Sequence, residues 1–204
     1  MTLIKRIKDW HHVLLDTSVI IDYLKNPARF ANNPAEQKRI EQTKKLINYL
    51  SPPDRESAVR CTFLISSITI AELIKTPTED QGIQSLVLLF KGADVMLLDF
   101  TVADAETLIR RLSEYLPEGQ KHQLVGQLER DLKDHGVSWA RQWVSDDLKI
   151  LASAAAQRRL DVVLTADGRT FFSLAQNMGI PCVNTNALPK DLFDELDTDI
   201  APKG

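Results

Sequence analysis

Two patterns of apolar residues alternate along this chain. Short apolar runs, typical of buried strands, lie between longer segments whose apolar residues recur about every 3.6 positions, as on one face of a helix. The runs predicted as strands are Val13–Leu15, Val59–Ile65, Val95–Leu98, Val162–Leu164 and Pro181–Val183. Because helical segments separate consecutive strands, the pattern predicts an α/β protein with a mostly parallel sheet covered by helices on both faces.

The helical segments between these strands are bounded by proline and glycine at several points. The predicted helices are Val19–Leu24, Pro34–Leu50, Ile70–Ile74, Ile83–Lys91, Val102–Tyr115, Gln120–His135, Leu148–Arg159 and Arg169–Met178. Ser145-Asp146-Asp147 is predicted to start the helix at Leu148, separate from the preceding segment Ser138–Val144.

The composition is that of a soluble globular domain, and it does not indicate a ligand. The chain has 204 residues, 44% hydrophobic and 26% charged, which suits one soluble domain. Its net charge of −3 and pI of about 5.8 give no overall basic field, so a nucleic-acid contact requires a local patch. The two cysteines, Cys61 and Cys182, are expected as buried thiols in a reducing compartment. Without a signal-peptide core or a membrane span, we expect a cytoplasmic protein.

Four acidic residues are placed where the strands of such a sheet end. Asp16 directly follows the first strand, and Asp167 comes just after the fourth. Glu72 and Asp147 are predicted in the first turns of helices that face the same edge. Right-handed crossovers bring the carboxyl ends of parallel strands to one rim, where open α/β sheets bind ligands. The four carboxylates are therefore predicted to converge, although they are far apart in sequence.

Each of these acids also has a structural interpretation. Asp16 has the position of a helix cap, and Thr69 with Glu72 has the spacing of a capping box. Trp139 and Trp143, which flank an arginine, suit either packing of a helix onto the core or stacking on bases, and packing is the interpretation we favour.

Four short sequences together resemble the PIN-domain family of metal-dependent nucleases. They are Leu14-Leu15-Asp16-Thr17-Ser18-Val19-Ile20, Ser67-Ile68-Thr69-Ile70-Ala71-Glu72-Leu73, Asp147-Leu148-Lys149-Ile150-Leu151-Ala152-Ser153-Ala154, and Leu164-Thr165-Ala166-Asp167 with Phe171 beyond. Each is weak alone, but four in order on a chain of alternating strands and helices are fairly specific. The resemblance implies a three-layer α/β/α fold with a central parallel sheet of four or five strands.

The resemblance also implies an activity, which is metal-dependent cleavage of RNA or, in some branches, of DNA. The acidic positions of the family correspond to Asp16, Glu72, Asp147 and Asp167. Asp147 is preferred to Asp146 because it has the family's spacing to Ile150-Leu151-Ala152, which leaves Asp146 near a helix cap in a supporting role. Hydroxyls of Thr17, Ser18 and Thr165 are close enough in sequence to support the metal ligands.

VapC-type toxins of this family are similar at all four sequences, which suggests an antitoxin protein as a partner. This chain is longer than those toxins at residues 28–58 and 116–144. We interpret it as one domain over residues 1–190 with two helical insertions and an acidic tail at 191–204. Homodimers are common in the family, and nothing in the sequence decides whether one forms here.

The chemistry of backbone cleavage agrees with carboxylate ligands. Mg²⁺ and Mn²⁺ prefer carboxylate oxygens, and one or two such ions activate water and stabilise charge on the phosphoryl group. Asp16 and Asp147 are the predicted direct ligands, and Glu72 binds directly or through water. Asp167 is predicted to hold a second ion or to orient the attacking water. Candidates for phosphate contacts are Lys75, Lys149 and Arg169.

Three other functions are less consistent with the sequence than a metal-dependent nuclease. A phosphatase of the haloacid-dehalogenase type needs a second Asp at the position of Ser18. A dinucleotide-binding domain needs a Gly-x-Gly-x-x-Gly sequence after a strand, and the chain has none. A PIN-like interaction module without activity is the main alternative, although keeping four mutually repelling acids argues against it.

Overall fold

A computed structural model of the protein describes residues 4–51, 61–75, 94–117 and 120–188. The strands are His12–Leu15 (β1), Thr62–Ser66 (β2), Asp94–Leu98 (β3), Val162–Thr165 (β4) and Cys182–Asn184 (β5). The helices are Thr17–Leu24 (α1), Pro34–Leu50 (α2), Ser67–Lys75 (α3), Val102–Tyr115 (α4), Gln120–Asp134 (α5), Ala140–Ala156 (α6) and Phe171–Asn177 (α7). Short 3₁₀ turns lie at Ile7–Asp9, Pro27–Phe30 and Thr185–Ala187.

The five strands form one parallel sheet in the order β3-β2-β1-β4-β5. This confirms the predicted fold class, an α/β protein whose parallel sheet is flanked by helices. The sequence order of the strands reverses between β1 and β4, which lie side by side with Leu15 paired to Leu164. Such a reversal is the point at which open α/β sheets bind ligands.

The side chains of β1 alternate between two separate cores. Val13 and Leu15 pack with residues of α1 and α2 on one face of the sheet. Leu14 packs with residues of α6 and α7 on the other face. The chain therefore leaves β1 and β4 toward opposite faces, which leaves a crevice between their carboxyl ends.

The predicted elements agree with the structure except around Ser145. The bounds of α2 and α4 are as predicted, whereas Ile83–Lys91 and the acidic tail lie outside the described residues. The predicted break before Leu148 is wrong, because α6 runs without interruption through Ser145. Its buried apolar residues, from Val144 to Leu151, continue on one face across the predicted break, and this packing outweighs the weak helix preference of Ser and Asp.

The two cysteines are buried and unpaired, as expected. Burial raises the pKa of Cys61 to about 12 and also raises that of Cys182, so both remain thiols at neutral pH. In the part of the chain described here, no helix is both long and apolar enough to cross a bilayer.

A buried ion pair fastens α1, which begins at the crevice, to α2. The Asp22 carboxylate is buried, and its Oδ2 lies 2.8 Å from Arg39 Nε. Lys25 Nζ lies 3.3 Å from Asp22 Oδ1 and 3.0 Å from Glu36. Because a buried charge is tolerated only with a partner, this pair holds α1 in one position against α2.

We expect Arg39→Ala to destabilise the protein by about 3 kcal/mol, because it leaves the Asp22 carboxylate buried with only Lys25 nearby. Urea denaturation followed by circular dichroism measures the loss. Lys38→Ala, at an exposed position of the same helix, is the matched control. Equal stability of the two variants would contradict a structural role for the pair.

Candidate active site

A cleft of about 700 Å³ opens at the crevice between the ends of β1 and β4. All four predicted acids lie along it. The lining consists of Asp16, Thr17, Ser18, Ile21, Glu72, Trp139, Gln142, Trp143, Asp146, Asp147 and Asp167. The fold thus brings together residues from α1, α3, α6 and the loop after β4.

Hydroxyl groups hold the Asp16 side chain at one of its two carboxylate oxygens. Asp16 precedes α1 but makes no side-chain cap to that helix. Its Oδ2 accepts hydrogen bonds from Ser18 Oγ at 2.5 Å and Thr165 Oγ1 at 2.8 Å. The backbone N–H groups of Ala166 and Asp167 donate to these same two hydroxyls, at 2.8 and 3.0 Å. Each hydroxyl therefore directs its proton to Asp16.

The environment of Asp16 disfavours its ionised form. Burial raises its pKa to about 6, against the lowering effect of the hydrogen bonds from Ser18 and Thr165. The carboxylates of Asp167 and Glu72 raise this pKa further by repulsion. Ionised Asp16 would gain free energy from a cation placed in the cleft.

Asp147 is the acid with the fewest partners in the cleft. It is the eighth residue of α6, not in the first turn as predicted, and its side chain is partly buried. Within the described ranges, its carboxylate accepts no hydrogen bond and forms no ion pair. Burial, and then repulsion from the carboxylates of Asp16, Asp167, Glu72 and Asp146, raises the pKa of Asp147 well above its usual value.

The neighbouring Asp146 has a complete set of partners within α6. Its Oδ1 lies 3.0 Å from Lys149 Nζ, and Gln142 Nε2 donates to both of its oxygens at 2.9 Å. The predicted position near a helix cap is wrong, because Asp146 lies in the interior of α6. The charge of Lys149 is engaged by Asp146, which weakens its case as a phosphate contact. The side chain of Lys75 lies outside the described residues.

Glu72 interacts with α1 and does not cap its own helix. It is the sixth residue of α3, one turn later than predicted, and its Oε2 accepts a hydrogen bond from Thr17 Oγ1. The alternative interpretation of Thr69 and Glu72 as a capping box does not hold, because Thr69 lies inside the helix. Ser66 takes the capping position, with its Oγ accepting from the backbone N–H of Ile68 at 3.2 Å.

Asp167 shapes the loop between β4 and α7. Its Oδ1 accepts from the backbone N–H groups of Arg169 at 2.8 Å and Thr170 at 3.1 Å. Its Oδ2 accepts from Thr170 Oγ1 and, at 3.3 Å, from the N–H of Phe171. Since four hydrogen bonds occupy most of the accepting positions of a carboxylate, this side chain is poorly free to ligate an ion. Arg169 is exposed near the end of this loop.

Trp139, which directly precedes α6, and Trp143, in its first turns, both line the cleft, so the prediction that they pack onto the core is wrong. Trp139 is 74% exposed and Trp143 is 54% exposed. Gln142 also lines the cleft and was not predicted from the sequence. The signal was present in the helical spacing of residues 139, 142, 143, 146 and 147, which places all five on one side of α6.

The carboxylates in the cleft are the ligand type that suits a hard cation, but their present arrangement is not that of a coordination shell. Several carboxylates share the cleft, and that is the ligand type that Mg²⁺ and Mn²⁺ prefer. Among the described residues, no three His, Cys, Asp or Glu side chains form a finished ligand set. Ligation by three of these acids therefore requires side-chain rotation, for which the Asp147 carboxylate has no hydrogen bond to break.

Comparison with known proteins gives only distant structural similarity. No protein-family model matches the chain, and no curated protein matches it. Among solved structures, the chain is similar to one described as the crystal structure of VapBC2 from Rickettsia felis bound to a DNA fragment from their promoter. The TM-score is 0.43 at 16% identity, over 85% of this chain and 98% of the other. Similarity at this level is too low to transfer a function.

The raised pKa of Asp16 predicts that the protein without metal loses stability between about pH 4 and pH 7. Between the unfolded pKa of 3.8 and the folded pKa of about 6, the folded protein keeps a proton that the unfolded chain has lost, so stability falls as pH rises. Asp16→Asn removes this term and should raise the unfolding free energy at pH 7.5 by roughly 3 kcal/mol at most.

Urea denaturation in EDTA at pH 4.5 and pH 7.5 measures this difference. Asp146→Asn is the matched control, because Asp146 is already paired with Lys149 and its loss should not stabilise the protein. An identical pH dependence in the parent and in Asp16→Asn would show that Asp16 carries no electrostatic strain.

Proposed function

We propose that the protein is a PIN-like, metal-dependent endonuclease that hydrolyses phosphodiester bonds, with RNA as its substrate class. One observation carries the proposal, which is that Asp16, Glu72, Asp147 and Asp167 share one cleft at the point where the strand order reverses. Burial of mutually repelling carboxylates is unfavourable unless a cation binds between them. The sequence resemblance to PIN domains, made on the same four acids, supports this reading.

Asp16 and Asp147 are the residues that would hold Mg²⁺ or Mn²⁺, and Glu72 would bind it directly or through water. Such an ion supplies an activated water and stabilises charge that develops on the phosphoryl oxygens. Ser18 and Thr165 occupy Oδ2 of Asp16, and within the described residues Oδ1 accepts no hydrogen bond. The hydroxyls thus orient Asp16 with one oxygen available to the cleft.

The remaining residues act by position and by charge. Thr17 fixes Glu72 toward the cleft through its hydroxyl hydrogen bond. Asp167 acts on the site through its charge, which reaches both Asp16 and Asp147, and not as a direct ligand, since hydrogen bonds already engage both of its oxygens. Backbone hydrolysis requires no contact with base edges, so we expect weak sequence preference.

The proposal extends to a cytoplasmic toxin of a toxin–antitoxin pair, on the sequence resemblance to VapC-type toxins. In such a pair the partner protein would restrain the nuclease by covering the acidic cleft. Co-purification of a small partner expressed from the adjoining gene, with loss of cleavage in the complex, tests this extension.

Metal binding should be measurable without any substrate. We expect saturating Mn²⁺ to raise the melting temperature by about 5–10 °C, since a ligand at 100 times its Kd stabilises the folded state by about 2.7 kcal/mol. Asp16→Asn and Asp147→Asn should each lose most of this increase, and Asp146→Asn should keep it. Differential scanning fluorimetry with Mn²⁺ and EDTA measures the shift. An equal shift in all four proteins would place the cation elsewhere.

Cleavage of a labelled single-stranded RNA in Mn²⁺ tests the activity. We expect EDTA to abolish cleavage, and Asp16→Asn or Asp147→Asn to reduce it by more than about 100-fold, because each removes a metal ligand. Asp146→Asn should retain most activity. Full activity of Asp16→Asn would refute the assignment, and a parent protein that binds Mn²⁺ but cleaves nothing would favour the interaction module.

A further inference from the structure

We propose that Trp139 and Trp143 form a stacking surface for unpaired bases, so that the substrate enters the cleft as a single strand. The inference deepens the proposed function and relies on it for the class of ligand. It concerns binding by residues that carry no acidic group, so its test measures binding and not cleavage.

Exposure of both indoles is the first observation. Tryptophan is usually well buried, and an exposed one normally requires no explanation when it stands alone. Here Trp139, just before α6, is 74% exposed and Trp143, within α6, is 54% exposed, whereas the third tryptophan, Trp10, is completely buried. Large aromatic surfaces left in water beside a cleft are available to a ligand.

Their position is the second observation. The backbone N–H of Trp143 donates to the carbonyl oxygen of Trp139 at 3.1 Å, so the two residues are one helical turn apart on the same side. One turn further along this side come Asp146 and Asp147. Helix α6 and the residue before it thus present two indoles and then the candidate metal ligand to the same cleft.

The shape of the cleft favours a strand with open bases. Its volume of about 700 Å³ is in the range that holds a nucleotide-sized ligand. Indole rings stack on any base with little preference for sequence, whereas bases in a duplex are already stacked on each other. Flat aromatic surfaces beside a backbone-cleaving site therefore select for unpaired nucleic acid.

The charge of the cleft favours nucleic acid over an apolar protein segment. A protein helix laid on the indoles would exclude water from the adjacent carboxylates of Asp147 and Asp16, which is unfavourable without a paired cation. A nucleotide would place its base on the indoles and its phosphate toward the acids, and a divalent ion held by Asp16 and Asp147 would offset their repulsion. One ligand would then contact both the indoles and the acidic residues of the cleft.

Quenching of tryptophan fluorescence in Mg²⁺ tests the inference on the full chain. Because Trp10 is buried, quenching reports on Trp139 and Trp143. The probes are a single-stranded oligothymidylate, an abasic strand of the same length, and a duplex. We expect the base-bearing strand to bind most tightly. Trp139→Ala and Trp143→Ala should each weaken its binding about 5- to 100-fold, measured by fluorescence anisotropy of a labelled strand.

Two control variants separate stacking from general loss of apolar surface. Trp143→Phe keeps an aromatic ring and should retain most of the affinity. Ile109→Ala removes a 66% exposed apolar side chain of α4, outside the cleft lining, and should bind as the parent does. Circular dichroism and melting temperature confirm that each variant is folded.

The inference is overturned if the abasic strand binds as tightly as oligothymidylate, or if the tryptophan variants bind like the parent. It is also overturned if sedimentation shows a dimer that Trp143→Ala dissolves, with no change in strand binding, because the indoles would then form a protein interface. Base-dependent binding without any metal-dependent cleavage would refute the proposed function and leave this inference standing. Cleavage without base-dependent binding would refute the inference alone.

Discussion

The parallel pairing of β1 with β4 is the constraint on which the rest of the site depends. These strands are neighbours in the sheet but about 150 residues apart in sequence, and they lead to helices on opposite faces. No helix can cover the gap between their carboxyl ends, so a crevice remains there. The backbone N–H of Asp16 donates to the carbonyl oxygen of Leu164 at 3.0 Å, which carries the pairing to the edge of the crevice. A ligand site at this edge follows from topology before any side chain is considered.

Hydrogen bonds at the crevice fix the orientation of the Asp16 carboxylate. Ser18 and Thr165 come from opposite sides of the crevice, and both donate to the same oxygen of Asp16. Their hydroxyls are oriented in turn by backbone N–H groups of the loop after β4. The fold therefore holds a buried carboxylate in one orientation although neighbouring acids oppose its ionisation. Carboxylates held in this way store unfavourable electrostatic energy, and strongly shifted pKa values of this kind are common at functional sites.

Helix α6 joins the two halves of the cleft. Its inner side, including Val144, Ile150 and Leu151, packs in the core, and its outer side carries the aromatic and acidic residues of the site. Since a continuous helix is stiff, the backbone positions of Trp143 and Asp147 keep a fixed spacing. Asp146 differs from Asp147, because Gln142 donates a hydrogen bond to its carboxylate and Lys149 balances its charge. Neighbouring acids in the chain thus have different surroundings.

The sequence by itself determined the α/β class and most helices and strands, because apolar periodicity is a local property of the chain. It also determined which acids meet, since Asp16 and Asp167 follow parallel strands whose ends share one rim. Only the tertiary structure decided what each side chain contacts. Thr69 and Glu72 have the spacing of a cap, yet Glu72 bonds to Thr17 of another helix. Trp139 and Trp143 have the composition of core residues, yet α6 turns them outward because Val144 and Leu151 occupy the core. Such choices depend on packing between distant segments, which no local pattern records.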